Sequence, residues 1–175
     1  MKISKQQQAV IIGVGEVTEK LQNGEIGREP MRLIVEACEN ALKDSGGDIG
    51  SLKSAISAVK IINQMGWPYA NIASLSAQYL GLQTSDCEET PVGGNMPTKY
   101  LADAARQIQS GEQQMVLIAG GEATASLVAA GKLKQRPEWT PPEEGQPRPR
   151  KAEFFHPEAI KYGLNMPVDV YPLYD

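Results

Sequence analysis

The 175-residue chain reads as an α/β protein: a mixed, mostly parallel sheet with helices on both faces, plus an irregular loop region. Three observations predict this. Short apolar runs alternate with stretches of helical period, the pattern of strand–helix–strand units. Glycines stand at the ends of both kinds of segment. After about residue 126 the composition shifts to "RPEWTPPEEGQPRPRKAEFF", rich in Pro and charge, which reads as a long excursion away from the sheet.

The elements follow in order. Residues 9–14, AVIIGV, are a continuous apolar run ending in glycines and predict a buried strand. The polar stretch 16–29 reads as a loop. Pro30 then sits where a helix starts, and Leu33, Ile34, Ala37, Cys38, Ala41 and Leu42 keep helical spacing until Gly46 and Gly47. Residues 54–62, SAISAVKII, predict a strand with a helical lead-in, followed by a turn at GWPY, 66–69. Residues 71–82 predict a helix with Asn71 as N-cap and Gly81 as its stop. CEETPV, 87–92, predicts a strand whose Pro91 places it at a sheet edge or a strand end. Residues 97–110 predict a helix with Leu101, Ala104, Ala105 and Ile108 inward. QQMVLIAGGEA, 113–123, predicts a buried strand ending in two glycines. The final stretch reads as a short helix and a loop.

Composition bounds the function. A net charge of −4 gives no basic footprint for nucleic acid. No apolar run approaches the roughly 20 residues that span a bilayer, so no membrane span is expected. The N-terminal residues lack the apolar core of an export signal, and two cysteines do not make a disulfide framework. A reduced, cytoplasmic setting is expected. With one histidine, His156, and no zinc-type spacing, no metal site and no resident cofactor are expected.

Few residues carry chemistry. GVGEVTE, 13–19, lacks the third glycine and the following helix of a dinucleotide fingerprint, so it reads as a turn. Cys38 lies on a helix's apolar stripe and reads as a buried, inert thiol. Cys87 precedes the glycines of VGGNMP by too great a length, about 23 Å of extended chain, and has acidic neighbours that raise a thiol pKa. His156, in FFHPEA, is a weak candidate for a general base and equally a turn residue beside Pro157. The corner Gly93–Gly94–Asn95 joins a strand to a helix. Its glycines permit close backbone approach, and the helix start offers N–H groups to a thioester carbonyl, an enolate or a phosphate. A tight turn that only packs helix on sheet is an equal reading of the same residues.

VGGNMPTKYLADAARQIQSGEQQMVLIAGGEATAS, together with AVIIGVGEVTE, LIVEACENALKDSG and NIASLSAQYLGL, resembles the N-terminal half of the thiolase superfamily. FFHPEAIKYGLNMPVDVYPLYD is similar to the loop region of its acetyl-CoA acetyltransferase-like, sterol-carrier-type branch. The resemblance implies a layered thiolase-like half over 1–126, with 127–175 the start of a loop region and the chain shorter than a full thiolase. Aligning Ala104, Ala105, Ile108 and Gly111 with the family's helix puts its nucleophilic Cys at Gly94, which carries no sulfur. The implied activity is that of an acyltransferase acting on acyl-CoA or CoA in lipid metabolism, with a CoA thioester as substrate. Covalent catalysis by Gly94 is impossible. The implied pocket has Gly93, Gly94 and Asn95 on one wall, Gly120, Gly121 and Glu122 on another, and His156 beside it. Arg148, Arg150 and Lys151 would face the CoA phosphates. The resemblance further implies a homodimer, or a partner chain, through the strand 87–92. A non-catalytic scaffold or partner subunit is the alternative.

Overall fold

A computed structural model describes residues 8–22, 24–141, 157–164 and 167–173. Its helices are α1 (Pro30–Asp44), α2 (Ile49–Ala55), α3 (Ile72–Leu80), α4 (Met96–Ser110), α5 (Thr124–Leu133), α6 (Pro157–Lys161) and α7 (Pro167–Val170). Its strands are β1 (Ala58–Ile61), β2 (Asp86–Glu89) and β3 (Val116–Ala119). A 3-10 turn follows over Tyr171–Leu173.

The three strands pair in parallel in the order β2-β1-β3, with Ala58 opposite both Asp86 and Val116. The chain leaves β1 through α3 to reach β2 on one side. It then returns through α4 past β1 to β3 on the other side. Because such crossovers are right-handed, reversing the direction of travel puts α3 and α4 on opposite faces. Side chains of β1 obey this division. Val59 and Ile61 are fully buried among Ile34, Cys38, Ile72 and Leu80 of α1 and α3. Lys60 points the other way, where its Nζ donates to Asp86 at 2.6 Å and Glu88 at 3.1 Å. On that face Tyr100 of α4 donates its hydroxyl to Glu88 at 2.7 Å.

Local chemistry sets the ends. Asn71 caps α3 by accepting from Ser74 N–H at 2.9 Å, and Gly81 closes the helix at φ 70°. Pro30 opens α1, whose stripe of Met31, Ile34, Cys38 and Leu42 is buried as the spacing requires. The helical lead-in to β1 is α2, capped by Asp48 accepting from Ser51 N–H. β2 stops before Pro91 and is an edge of the sheet.

Four expectations are corrected. AVIIGV forms no ladder: Val10, Ile11 and Val14 are 66–69% exposed. It lies instead along α1, where Cβ atoms on Gly13 and Gly15 would stand 2.1 Å from the carbonyl oxygens of Ala41 and Ala37. Close contact with helix backbone, rather than pairing, uses its glycines. The strand in 113–123 shortens to four residues, because the chain turns away at Gly120. On α4 Tyr100 and Ala104 are buried while Leu101 is 49% exposed, since no further strand lies beneath that side among the described residues. The loop region expected from residue 127 overlaps a helix at its start: TASLVAAGKL forms α5, anchored by buried Ser126 and Ala130, while 142–156 lie outside the described residues.

Candidate functional site

In parallel sheets ligands meet the carboxyl ends of strands, at the point where neighbouring connections leave toward opposite faces. Here that point lies between β1 and β2. The sequence puts Ile62, Asn63 and Gln64 after β1, Glu89 and Thr90 at the end of β2, and Gly120, Gly121 and Glu122 after β3. Asn63 donates from Nδ2 to Glu89 Oε1 at 2.9 Å, and its N–H donates to Thr90 Oγ1 at 3.1 Å. Thr90 N–H in turn donates to Ile61 C=O at 2.8 Å. Burial raises the Glu89 carboxyl above the ordinary carboxylate range, against the opposing pull of the Gln64 N–H and Asn63. Asn63 Oδ1 is buried with no hydrogen-bond partner among the described residues.

The glycines divide into two kinds. A Cβ on Gly120 would meet Ile62 Cβ at 3.0 Å, and one on Gly121 would meet Ile34 Cγ1 at 3.0 Å. These two let the strand end pack on β1 and α1. Glu122 fastens the β1–α3 loop, its Oε1 accepting from Met65 N–H at 2.6 Å. Gly94 differs: nothing stands within 4 Å of where its side chain would be. Gly94 and Asn95 are exposed, and Gly93 is half-buried.

The helix start behind this corner offers fewer donors than a bare N-terminus. Asn95 is the N-cap but makes no side-chain cap. Met96 N–H closes the turn onto Gly93 C=O at 3.0 Å, Pro97 has no N–H, and Lys99 N–H reaches Asn95 C=O at 3.0 Å. Thr98 N–H is the first-turn donor without a backbone or side-chain acceptor among the described residues. Residues 93–98 therefore form an exposed turn with an open side-chain place and, in the first turn of α4, one free donor.

The cysteines behave as their settings dictate. Cys38 is buried, which pushes its thiol up to about 12. Cys87 sits at the start of β2, at the far end of the strand from the corner, and burial likewise raises its thiol. His156, Arg148, Arg150 and Lys151 lie outside the described residues. Among the described residues no group of three His, Cys, Asp or Glu could hold a metal ion, and no helix is long and apolar enough to cross a membrane.

Sequence reasoning missed a second polar cluster that braces this end of the sheet. Glu29 is 6% exposed. Its Oε2 accepts from Tyr69 Oη at 3.0 Å and Thr140 N–H at 3.1 Å, and its Oε1 accepts from Thr140 Oγ1 at 3.1 Å. Trp139 donates from Nε1 to Gly27 C=O at 2.9 Å and packs edge-on against Trp67 at 5.1 Å. Trp67 donates from Nε1 to Thr140 C=O at 2.8 Å. The two tryptophans, Trp67 in the GWPY turn and Trp139 in the Pro-rich, charged tract, were the available signal.

No family model matches the chain, and no curated protein does. Among solved structures it is similar to a monomeric SCP2-thiolase-like protein, type 1, from Mycobacterium smegmatis, at 30% identity and a TM-score of 0.58. The alignment covers 66% of this chain and 23% of that one, so the chain spans about a quarter of the length of the structure it matches. A thiolase-like α/β fold is supported by this likeness.

Proposed function

We propose that the chain is a thiolase-like, acyl-CoA-related unit that binds a CoA thioester at the 93–98 corner and lacks a nucleophile of its own. The observation that carries this reading is the open place at Gly94, exposed at the start of α4 in a chain with the likeness described above. In a thioester-cleaving site of this kind a thiolate attacks the acyl carbonyl, the carbonyl oxygen takes negative charge, and backbone N–H groups stabilise it. Gly94 supplies no thiolate. Thr98 N–H supplies one donor for a polarised carbonyl. Glu122 and the Gly120–Gly121 turn shape the neighbouring strand end.

The direct experiment substitutes the attacking group. Gly94→Cys, incubated with acetyl-CoA, acetylates its new sulfur: the carbonyl carbon bonds to sulfur, the bond to CoA breaks, and CoA leaves as the thiol. Intact mass and released thiol read both products. Wild type gives neither product but gains thermal stability with acetyl-CoA, by about 2.7 kcal/mol at a hundredfold excess over Kd. A folded Gly94→Cys protein that stays unmodified, with no stabilisation of wild type at millimolar acetyl-CoA, overturns the reading.

The second reading is a non-catalytic partner subunit. The outer edge of β2 favours it, since an unpaired strand edge is a template for pairing across a two-fold axis. A dimer that Glu89→Pro, which removes an outward N–H of β2, disperses, without any response to acetyl-CoA, would support that reading over the first.

A further inference from the structure

We infer that Glu89 keeps its carboxyl proton in the folded chain and donates it to the amide oxygen of Asn63, so that the two side chains clasp the ends of β1 and β2 together and let go when the proton is lost. The inference is independent of the CoA reading.

Asn63 Oδ1 is sealed from solvent and has no donor among the described residues, while Nδ2 of the same amide donates to Glu89 Oε1 at 2.9 Å. A buried acceptor left unpaired costs the desolvation of the group, so the site calls for a donor. An ionised carboxylate cannot be that donor, because it only accepts. Turning the amide over moves the demand without meeting it. The amide oxygen would then lie against Glu89 Oε1 at the same 2.9 Å, and two oxygens that close need a proton between them. A protonated Glu89 meets the demand in the orientation found. Its carbonyl oxygen accepts from Nδ2, its O–H donates to Oδ1, and carboxyl and amide close a ring of paired hydrogen bonds.

The surroundings favour the neutral acid. Glu89 stands opposite Ile61 in the ladder and shares its face, the one covered by α3. Among the described residues no cation is hydrogen-bonded or ion-paired to it. Nearby charges are engaged elsewhere. Lys60 pairs with Asp86 and Glu88 on the opposite face, Glu122 holds Met65 N–H, and Glu29 holds Tyr69 and Thr140. On its own face Cys87 is a thiol that burial raises, and the Tyr79 hydroxyl of α3 accepts from Arg32. Burial accordingly raises the Glu89 carboxyl, with Gln64 N–H and Asn63 Nδ2 pulling the other way.

The pair sits at a junction. Asn63 gives its backbone N–H to Thr90 Oγ1 at 3.1 Å, and buried Thr90 gives its own N–H to Ile61 C=O at 2.8 Å. From there residues 91–95 leave toward α4. Losing the proton replaces the Oδ1 hydrogen bond by two facing lone pairs. The Asn63 amide then swings away, and its backbone bond to Thr90 loses support. The clasp is closed at the ordinary carboxyl value of 4.5 and opens as pH rises through the folded midpoint above it.

The test titrates the full chain, labelled with carbon-13 at the glutamate carboxyls, by NMR. The Glu89 signal is assigned by its loss in Glu89→Gln. The expected wild-type midpoint lies above 4.5. Asn63→Leu keeps the size of the side chain and removes both hydrogen bonds. It is expected to lower the midpoint by about 0.5 on the pH scale or more, because the acid form loses the bond that only it makes. Were Asn63 merely a donor to a carboxylate, the same variant would raise the midpoint. Hydrogen exchange at the Asn63 backbone amide gives a second readout. Its protection, corrected for the intrinsic pH dependence, falls about tenfold across the wild-type midpoint and stays level in Glu89→Gln, whose amide reproduces both bonds at every pH. A wild-type midpoint at or below 4.5 overturns the proposal, as does a midpoint that Asn63→Leu raises or leaves unmoved. Should Asn63→Leu fail to fold, protection that falls equally in wild type and Glu89→Gln overturns it instead.

Discussion

Replacing Glu29 by alanine removes the acceptor that joins α1, the β1–α3 loop and the 139–140 segment. The side chain accepts three hydrogen bonds, from Tyr69 and from two groups of Thr140, in a site 6% exposed. Each bond to a charged acceptor is worth about 1.5–3 kcal/mol, and the three are not additive because they share one carboxylate. Truncation also leaves the Thr140 N–H without its partner and opens a void. The expected loss is about 3–5 kcal/mol by denaturant melts. Glu29→Gln keeps the shape and one acceptor oxygen. Placed at the Oε2 position, that oxygen retains the Tyr69 and Thr140 N–H bonds, while the amide nitrogen turns to Thr140 Oγ1, which can rotate to accept. Its expected cost is about 1–2 kcal/mol. Arg32, whose Nε lies 3.6 Å from the carboxylate, loses an ion pair but is half exposed, so it adds little. Equal costs for the two variants, or a loss under about 1 kcal/mol for alanine, would refute this assignment of the Glu29 cluster.

Two further predictions follow from the strand ends. Gly121→Ala forces a Cβ to within 3.0 Å of Ile34 and costs about 1–3 kcal/mol, whereas Gly94→Ala enters open space and stays within about 0.5 kcal/mol of wild type in parallel thermal melts. Because burial raises Glu89 in the folded state, its charged form is disfavoured by folding. This contribution is small below the ordinary carboxyl value of 4.5 and becomes increasingly unfavourable as pH rises from there through the folded pKa. Glu89→Gln, measured against wild type across that range, therefore gains relative stability with rising pH; a difference that is flat or falls with pH contradicts the burial argument.

The helices were legible in the sequence wherever periodicity and caps agreed. Pro30 with the Ile34–Cys38–Leu42 stripe, and Asn71 with Gly81, predicted α1 and α3 nearly to the residue. β1 and β3 were legible as apolar runs, but each strand is only four residues long, shorter than the run that marks it. AVIIGV has the same composition, yet its partner is a helix backbone, and composition does not reveal which neighbour a run will find. α5 escaped because its sequence lacks a strong N-cap and runs into a Pro-rich tract. The glycine corner was placed at the start of α4, but its donor count was not legible. That depends on Met96 turning back on Gly93, a local hydrogen bond with no sequence signature beyond Pro97. The Asn63–Glu89 contact and the Glu29–Tyr69–Thr140 cluster join residues 26 to 111 positions apart, which no local pattern can reveal.

The most direct measurement of the proposed role is a titration of acetyl-CoA into the wild-type chain, followed by backbone amide shifts. The account predicts saturable shifts at Gly93, Gly94, Asn95 and Thr98, largest at Thr98, together with a rise in melting temperature. Saturable binding that leaves 93–98 unmoved, or no binding at millimolar acetyl-CoA, would contradict it.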